Sequence, residues 1–192
     1  MTIFVINVGD TRYSKHSLPL IEKFCEFNNI NLFVLTENIS QNVYNLHPSW
    51  LKLFSHQLID DDFILCWDLD LVPTKLYKIE NMLDKTKLNF CYDSTYIHQN
   101  FTFNGKFKYN CGLIGIPKSY SNFMENVYHK YGRIASYPSY EQYYVNDEIF
   151  DNNIIPNLLD TNLNYMFNGN ENFDDNVLNA HYTWQIKSNE HR

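Results

Sequence analysis

Several features that would assign this chain to a common functional class are missing from its sequence. No two of its four cysteines stand at the CxxC spacing that builds zinc and redox sites, so we expect reduced, buried thiols at Cys25, Cys66, Cys91 and Cys111. No apolar run approaches the roughly 20 residues of a membrane-spanning helix, and the amino terminus lacks the basic segment of a signal peptide. The net charge of −7 argues against a general nucleic-acid binder, because such proteins neutralise phosphates with Lys and Arg.

What the sequence does contain is the composition of a folded, aromatic-rich protein. The chain has 192 residues, of which 44% are hydrophobic and 19% charged, with 15 Tyr and 14 Phe, and this composition excludes a disordered chain. The length suits a single domain over residues 1–192. We expect a cytoplasmic location. The heavy use of Asn, Tyr, Lys and Ile is typical of an AT-rich genome, and a viral source would place the protein in the host cytoplasm.

The pattern of apolar residues predicts alternating strands and helices in the first half of the chain. Strands are predicted in TIFVINVG, NLFVLTEN and FILCWDLD, and helices at 48–61 and at 17–29, the latter with Leu20, Phe24 and Phe27 at helical spacing. Further along we predict strands in LNFCYDS and CGLIGIP, a hairpin at 101–110, helices at 118–132 and 139–152, and one or two short strands in the remainder. The β-α-β start implies parallel strands, so the predicted fold class is α/β, a three-layer α/β/α sandwich around a mostly parallel sheet.

The segment FILCWDLDLVPTK, residues 63–75, contains the first candidate site. A buried strand has no use for Asp68 and Asp70, because burying an unpaired carboxylate is costly. In an extended segment the two side chains point the same way, and two carboxylates so placed suit a divalent cation. The alternative is a strand that simply reaches solvent after Trp67. Ligands of open α/β sheets usually bind at the carboxyl ends of the strands, where these aspartates and the Gly9-Asp10 loop are predicted to lie.

Four segments resemble one family, in the same order and over nearly the whole chain. ILCWDLDLVP resembles the Asp-x-Asp strand of the GT-A glycosyltransferases. YNCGLIGIPKS at 109–119, EQYYVND at 141–147 and HYTWQIK at 181–187 resemble the F-N-x-G, D-Q-D-x-L-N and H-x5-K segments of the subgroup that contains glycogenin and bacterial lipopolysaccharide galactosyltransferases. The resemblance implies the GT-A fold and sugar transfer from a nucleotide-diphosphate donor, with a UDP-sugar as the expected donor.

The resemblance also implies a metal site. Asp68, Asp70 and His181 would hold the metal, and an imidazole among oxygen ligands favours Mn2+ over Mg2+. Asp68 would also face the donor, and Lys187 would place a positive charge on the departing diphosphate. For His181 alone, the alternative is a histidine at the surface or the edge of the core.

Two further segments would line the sugar pocket. The resemblance implies that Gln142 stabilises the oxocarbenium-like centre, and that Glu141, which replaces the family's aspartate, binds sugar hydroxyls. Asn110 and Gly112 would form the turn beside the sugar and the acceptor. The alternatives are an exposed helical face for residues 141 and 142, and a turn into a core strand for residues 110–112.

The loop after the first strand resembles the family's nucleoside-binding loop. Backbone amides of Val8, Gly9 and Asp10 would contact the base, and Tyr13 would stack on it, although a β-α turn containing Gly needs no ligand to explain it. Lys52 would lie near the nucleotide, with a solvated lysine as the alternative.

Together these implications predict a metal-dependent glycosyltransferase that acts on a carbohydrate or glycosylated acceptor with retention of configuration. Retention needs no enzyme base, since the leaving phosphate can accept the proton, whereas inversion would make Glu141 the general base. The chain departs from the family in having Ser188-Asn189 in place of Pro-Trp, and its short length predicts a trimmed acceptor-binding extension.

Three other functions compete with this prediction. A transferase acting on modified bases of phage DNA fits an AT-rich genome but not the acidic charge. A sugar-nucleotide-binding module without activity would be expected to lose the metal ligands, which are all present. A nucleotidyltransferase should have a Gly-rich, basic phosphate loop, and VGDTRYSKH matches that pattern poorly.

Overall fold

The protein folds around two β-sheets, which a computed structural model describes over residues 1–9, 14–93, 109–135, 140–167 and 175–182. The larger sheet contains β1 (Thr2–Ile6), β2 (Asn31–Leu35), β3 (Phe63–Trp67), β5 (Asn89–Tyr92), β6 (Tyr109–Pro117) and β7 (Asn157–Leu159). The smaller sheet contains β4 (Leu71–Pro73), β8 (Tyr165–Phe167) and β9 (Asn179–Tyr182). The α-helices are α1 (Ser14–Asn28), α2 (Ser55–Leu58), α3 (Ser121–Tyr131) and α4 (Glu141–Asp151), and the 3-10 helices include Pro48–Phe54 and Thr161–Asn164.

The larger sheet has the strand order β2-β1-β3-β6-β5-β7. β1 is parallel to β2 and β3, and β5 is parallel to β7. β6 is antiparallel to both of its neighbours, β3 and β5, so it alone runs against the other five strands. The prediction of a mostly parallel sheet is therefore confirmed.

Helices cover both faces of this sheet. Ile3 of β1 packs in one apolar cluster with Phe24 of α1, whereas the next residue, Phe4, packs in a second cluster with Trp50 and with Tyr128 of α3. Successive residues of a strand point to opposite faces, so every residue of the central strand β3 is buried. The predicted three-layer α/β/α arrangement is confirmed.

Some predicted details of the helices are wrong. In α1, Leu20 and Phe27 are 44% and 42% exposed, because the face turned to the sheet is the helical stripe that includes Ile21 and Phe24. The helix predicted at 48–61 is a 3-10 helix over Pro48–Phe54 followed by the single turn α2.

Among the described residues there are more short strands than predicted. β7, β8 and β9 are three short strands instead of one or two, and β4 was not predicted at all. Of the predicted hairpin, residues 101–108 lie outside the described part of the chain, and residues 109 and 110 begin β6. The four cysteines are free and buried, as predicted. Among the described residues, no helix is long and apolar enough to cross a membrane.

Candidate active site

The site begins where β3 leaves the sheet. The backbone N–H of Asp68 donates to the carbonyl of Gly112 at 2.8 Å, which extends the pairing of β3 with β6 by one residue. The N–H of Leu71 then donates to the carbonyl of Asp68 at 2.9 Å, which closes a turn. Asp68 and Asp70 therefore lie in a tight turn between β3 and β4, not on the extended strand that the sequence predicted.

Strand pairing in the smaller sheet brings His181 to this turn. β4 and β9 are antiparallel, and Leu71 lies opposite His181 in their register. The N–H of Tyr182 also donates to the carbonyl of Asp70 at 3.0 Å. A residue far along the chain is thereby fixed beside the aspartates.

Asp68, Asp70 and His181 form a cluster that fits a metal ion. Nε2 of His181 lies 3.2 Å from Oδ1 of Asp70 and 4.0 Å from Oδ2 of Asp68. One ligand atom from each residue can be chosen so that all three lie within 4.8 Å of one another. Two carboxylates and one imidazole are ligands that Mn2+ accepts, with Mg2+ favoured less because of the nitrogen.

Lys52 is buried beneath this cluster. Its Nζ lies 2.6 Å from Oδ1 of Asp68 and 3.0 Å from Oε1 of Glu141, and it donates to the carbonyl of Cys111 at 2.7 Å. An ammonium has three protons, so these three acceptors satisfy it. Lys52 is only 3% exposed, so the alternative of a solvated lysine is wrong. Because one oxygen of Asp68 is bound to Lys52, the other is left to face His181.

Burial and charge act against each other in this cluster. Burial lowers the pKa of His181, but the nearby carboxylates of Asp70 and Asp68 raise it by a larger amount, so the pKa lies above its ordinary value. Burial raises the pKa of Asp68, and Lys52 only partly opposes that shift. Burial also raises the pKa of Glu141, yet Lys52 beside it brings the net pKa below the ordinary value. The pKa of Lys52 itself is raised, because the two carboxylates outweigh the effect of burial.

The charges of the cluster match a divalent cation. Asp68, Asp70 and Glu141 contribute three negative charges, and Lys52 contributes one positive charge. With a neutral His181, two net negative charges remain beside the cleft. A divalent ion would neutralise them, which a monovalent ion would not.

Glu141 and Gln142 begin α4 on the opposite wall of the site. Glu141 is 2% exposed, so the alternative of an exposed helical face is wrong for this residue. Its Oε2 is buried and makes no hydrogen bond within the described residues. Gln142 accepts from the N–H of Cys111 at 2.9 Å and donates to Asp93 at 3.0 Å, so its amide is held at both ends.

Asn110 and Gly112 lie within strand β6 and not in the predicted turn, and both border the cleft beside the aspartates. Oδ1 of Asn110 accepts from the N–H of Gly112 at 2.7 Å and from Nδ2 of Asn164 at 2.6 Å. Asn164 in turn contacts Nδ1 of His181 through its Oδ1 at 2.8 Å. A Cβ on Gly112 would lie 2.7 Å from Cε1 of His181, so only glycine leaves room for the imidazole ring.

Most of these residues border one cleft of about 510 Å3, although Asp93 and Asn164 do not line it. Its lining residues include the predicted site residues Val8, Lys52, Asp68, Asp70, Asn110, Gly112, Glu141, Gln142 and His181. Gly9 is exposed with a φ of +92°, a conformation that favours glycine with or without a ligand. The predicted contacts of Asp10, Tyr13 and Lys187 lie outside the described residues.

Sequence reasoning missed several residues of this site. Asn164 and Asp93 were not singled out, although each is hydrogen-bonded to a predicted site residue. His47 and Tyr140 also border the cleft, and their rings contact each other with centroids 4.6 Å apart. Isolated Asn, Asp, His or Tyr residues in a single sequence give no signal that would identify them.

Solved structures similar to this chain are glycosyltransferases. One involved in the glycosylation of the major capsid of PBCV-1 has a TM-score of 0.67 and 16% identity, over 100% of this chain and 98% of that one. The galactosyltransferase LgtC, solved with donor and acceptor sugar analogs, has a TM-score of 0.63 and 14% identity, over 95% of this chain and 87% of its own. GlyE of Streptococcus pneumoniae TIGR4 has a TM-score of 0.58 and 15% identity, over 85% of this chain and 46% of its own.

The sequence itself matches no protein-family profile and no curated protein. At the identities of these structures, the likeness establishes the fold alone, which is the GT-A fold that the four sequence segments predicted.

Proposed function

We propose that this GT-A chain is a metal-dependent glycosyltransferase that moves a sugar from a nucleotide-diphosphate donor, with UDP as the favoured nucleotide, to a carbohydrate or glycosylated acceptor. The observation that carries the proposal is the arrangement of Asp68, Asp70 and His181 on one wall of the cleft and Glu141 and Gln142 on another. A cation site and a pocket with sugar-binding groups thus share one space. The similar LgtC structure contains both a donor and an acceptor sugar analog, which supports a donor and an acceptor site in this fold.

The metal would be held by Asp68, Asp70 and His181, with Mn2+ favoured by the imidazole. When bound, it would supply positive charge for the diphosphate that leaves. Lys52 would not contact the donor directly, because its three protons already have acceptors within the protein. Its role in the proposal is to hold Asp68 and Glu141 in place.

Glu141 and Gln142 would bind the donor sugar. Within the described residues the buried Oε2 of Glu141 makes no hydrogen bond, and a sugar hydroxyl that donates to it would supply one. Gln142 is held rigidly between Cys111 and Asp93, which suits a group that stabilises a developing positive centre. A neighbouring structure is an active-site glutamine-to-glutamate mutant of LgtC, which supports a glutamine in such a site.

Retention of configuration is the outcome we propose. Inversion would require Glu141 as the general base, but its ion pair with Lys52 lowers its pKa and makes it a weak base. Retention avoids this difficulty, because the leaving diphosphate can accept the proton of the acceptor.

The test is nucleotide release from a panel of UDP-, GDP- and TDP-sugars, measured with Mn2+ and with EDTA. We expect release with at least one donor, loss of that release in EDTA, and loss in Asp70→Ala. Asp60→Ala is the matched control, because Asp60 is an exposed carboxylate at the opposite end of β3 and should leave the rate unchanged.

Absence of release across the panel, together with absence of nucleotide binding by calorimetry, would contradict the proposal. Binding without release would instead identify a sugar-nucleotide-binding module. Release that survives both EDTA and Asp70→Ala would remove the metal from the proposed function.

A further inference from the structure

A chain of hydrogen bonds connects the protein backbone to the ring of His181. It begins at the N–H of Gly112, which can only donate, and which lies 2.7 Å from Oδ1 of Asn110. The oxygen of Asn110 must therefore face Gly112, so the group of Asn164 that lies 2.6 Å from the same oxygen must be its NH2. The oxygen of Asn164 is consequently turned toward Nδ1 of His181, at 2.8 Å.

This chain fixes the position of one proton on His181. The oxygen of Asn164 can only accept, so Nδ1 must carry the proton that is donated to it. Nε2 is then the nitrogen that faces Asp70 and Asp68, at 3.2 and 4.0 Å. Neither asparagine has freedom to reverse its amide, since Asn164 is fully buried and Asn110 is 5% exposed.

We propose that Asn164, oriented by Asn110, is a positioning residue that keeps Nδ1 of His181 protonated and leaves Nε2 to ligate a cation between the aspartates. This inference deepens the proposed function and rests on it for the cation. It also assigns Asn110 to the support of His181, whereas the family resemblance implied a turn beside the sugar and the acceptor. Its oxygen is occupied by two donors and serves the histidine, and its NH2 contacts only Sδ of Met166 among the described residues, at 3.7 Å.

Close packing supports the same assignment. The imidazole lies against Gly112, where a Cβ would come within 3.0 Å of Nδ1 and 2.7 Å of Cε1. The Nδ1 edge of the ring is thus held by Asn164 on one side and by the glycine backbone on another. Such partners behind a metal-binding histidine orient the ring and set its tautomer.

The first measurement is Mn2+ binding by calorimetry to the full chain and its variants. Asn164→Leu keeps the approximate volume but cannot accept from Nδ1, and we expect it to weaken Mn2+ binding about 10- to 100-fold. Asn164→Asp retains an oxygen that accepts from Nδ1 but loses the NH2 that donates to Asn110, so it should weaken Mn2+ binding less than Asn164→Leu does. The matched control is Asn89→Leu, since Asn89 is also fully buried and hydrogen-bonded but lies away from the cleft, where it should lower stability without weakening Mn2+ binding.

The second measurement uses only the wild-type protein without metal, so it does not depend on whether a variant folds. Nitrogen-15 NMR of the metal-free wild-type chain at neutral pH should show a proton on Nδ1 of His181. A ring that carries its proton only on Nε2 would overturn the proposal.

The two proposals fail in different ways. If the wild-type chain binds no Mn2+, the metal-dependent function fails, while the NMR result still decides the role of Asn164. If the wild type binds Mn2+ and a folded Asn164→Leu binds it equally well, or if Asn89→Leu loses as much affinity, the positioning role is refuted.

Discussion

The buried ammonium of Lys52 permits a sharp prediction about stability. Lys52→Met keeps a similar length of side chain but removes the positive charge that pairs with Glu141, which is 2% exposed. The carbonyl of Cys111 also loses its donor in this variant. Removing one partner of a buried ion pair typically costs about 3–5 kcal/mol, because the other charge is left uncompensated.

A loss of about 3–5 kcal/mol is large against the roughly 5–15 kcal/mol by which a domain is stable. Equilibrium unfolding in urea measures it directly from the change in the free energy of unfolding. The double variant Lys52→Met/Glu141→Gln should recover part of the loss, since no buried carboxylate then remains at position 141. Lys118→Met is the matched control, because Lys118 pairs with Asp60 at the exposed surface, where water screens the interaction and the stability should stay close to wild type.

The pH dependence of this loss can also be predicted. In the wild type the pKa of Glu141 is lowered, so its contribution is present above the unfolded pKa of about 4.3 and is lost as the pH falls through the lower folded pKa. In Lys52→Met, burial still raises the pKa of Glu141, and only the hydrogen bonds from Ser49 and the backbone remain to lower it, because the charge of Lys52 is gone. The folded variant therefore takes up a proton and gains stability as the pH falls. The difference between the two proteins should therefore narrow between about pH 7 and pH 5. A loss of unfolding free energy below about 1 kcal/mol at pH 7 would refute the reasoning, because an ion pair of a solvent-exposed lysine contributes no more than that. A loss that does not change with pH would refute it as well.

Three other substitutions test the site and the scaffold separately. Gly112→Ala should displace the ring of His181, since its Cβ would lie 2.7 Å from Cε1, and should weaken Mn2+ binding at least about tenfold by calorimetry. In the control Gly115→Ala, the new Cβ would lie 2.6 Å from the ring of Phe63, away from the cleft, so stability should fall while Mn2+ binding stays unchanged. An equal loss of Mn2+ affinity in Gly112→Ala and Gly115→Ala would contradict the prediction. Glu148→Gln should lower the free energy of unfolding at pH 7 by about 1 kcal/mol, because Lys130 and the hydroxyl of Tyr131 hold the ionised carboxylate. Burial raises the pKa of Glu148, but these contacts outweigh it and bring the pKa below its ordinary value. The difference in stability from wild type should therefore vanish in urea unfolding as the pH falls below about 4.3 toward that lowered pKa, and a difference that persists in acid would count against the prediction.

The layered fold was predictable because its signals are local. The strand in FILCW is a continuous apolar run, as expected for a strand buried on both faces, and the structure has it at Phe63–Trp67. The short strands β4, β8 and β9 were poorly predicted, because three or four residues are too few for a period to be read. Their pairing is decided by tertiary contacts, which a local pattern does not contain.

The candidate site was predictable to the extent that its residues stand in recognisable motifs. Asp68, Asp70 and His181 were identified through such segments, and the structure brings them together. The burial of Lys52 was not predicted, because a lysine in a helical segment is normally solvated. It is buried here because Asp68 and Glu141, which are distant in the sequence, pair with its charge. Asn164 was missed because its role depends on three hydrogen-bonded groups from separate parts of the chain.

The register of β9 decides whether this site exists at all. Because side chains alternate along a strand, a shift of one residue would place Ala180 or Tyr182 opposite Leu71 and turn His181 away from the aspartates. The three residue pairs between β4 and β9 would hold this register only weakly by themselves. Hydrogen bonds of side chains outside the cleft stabilise the register further. The hydroxyl of Thr74 donates to the carbonyl of Val177 at 2.7 Å, and Asn179 bonds the hydroxyl of Tyr77 and the carbonyl of Leu163 at 2.9 and 2.7 Å.

The hydrogen bonds of Asn179 connect β9 to Tyr77, which follows β4, and to Leu163, which precedes β8. Asn179 is fully buried on the strand that carries His181, and its two bonds would both break if the strand moved by one residue. The position of His181 therefore depends on two buried asparagine side chains. Asn164 sets the orientation of its ring, and Asn179 holds the strand from which the ring extends.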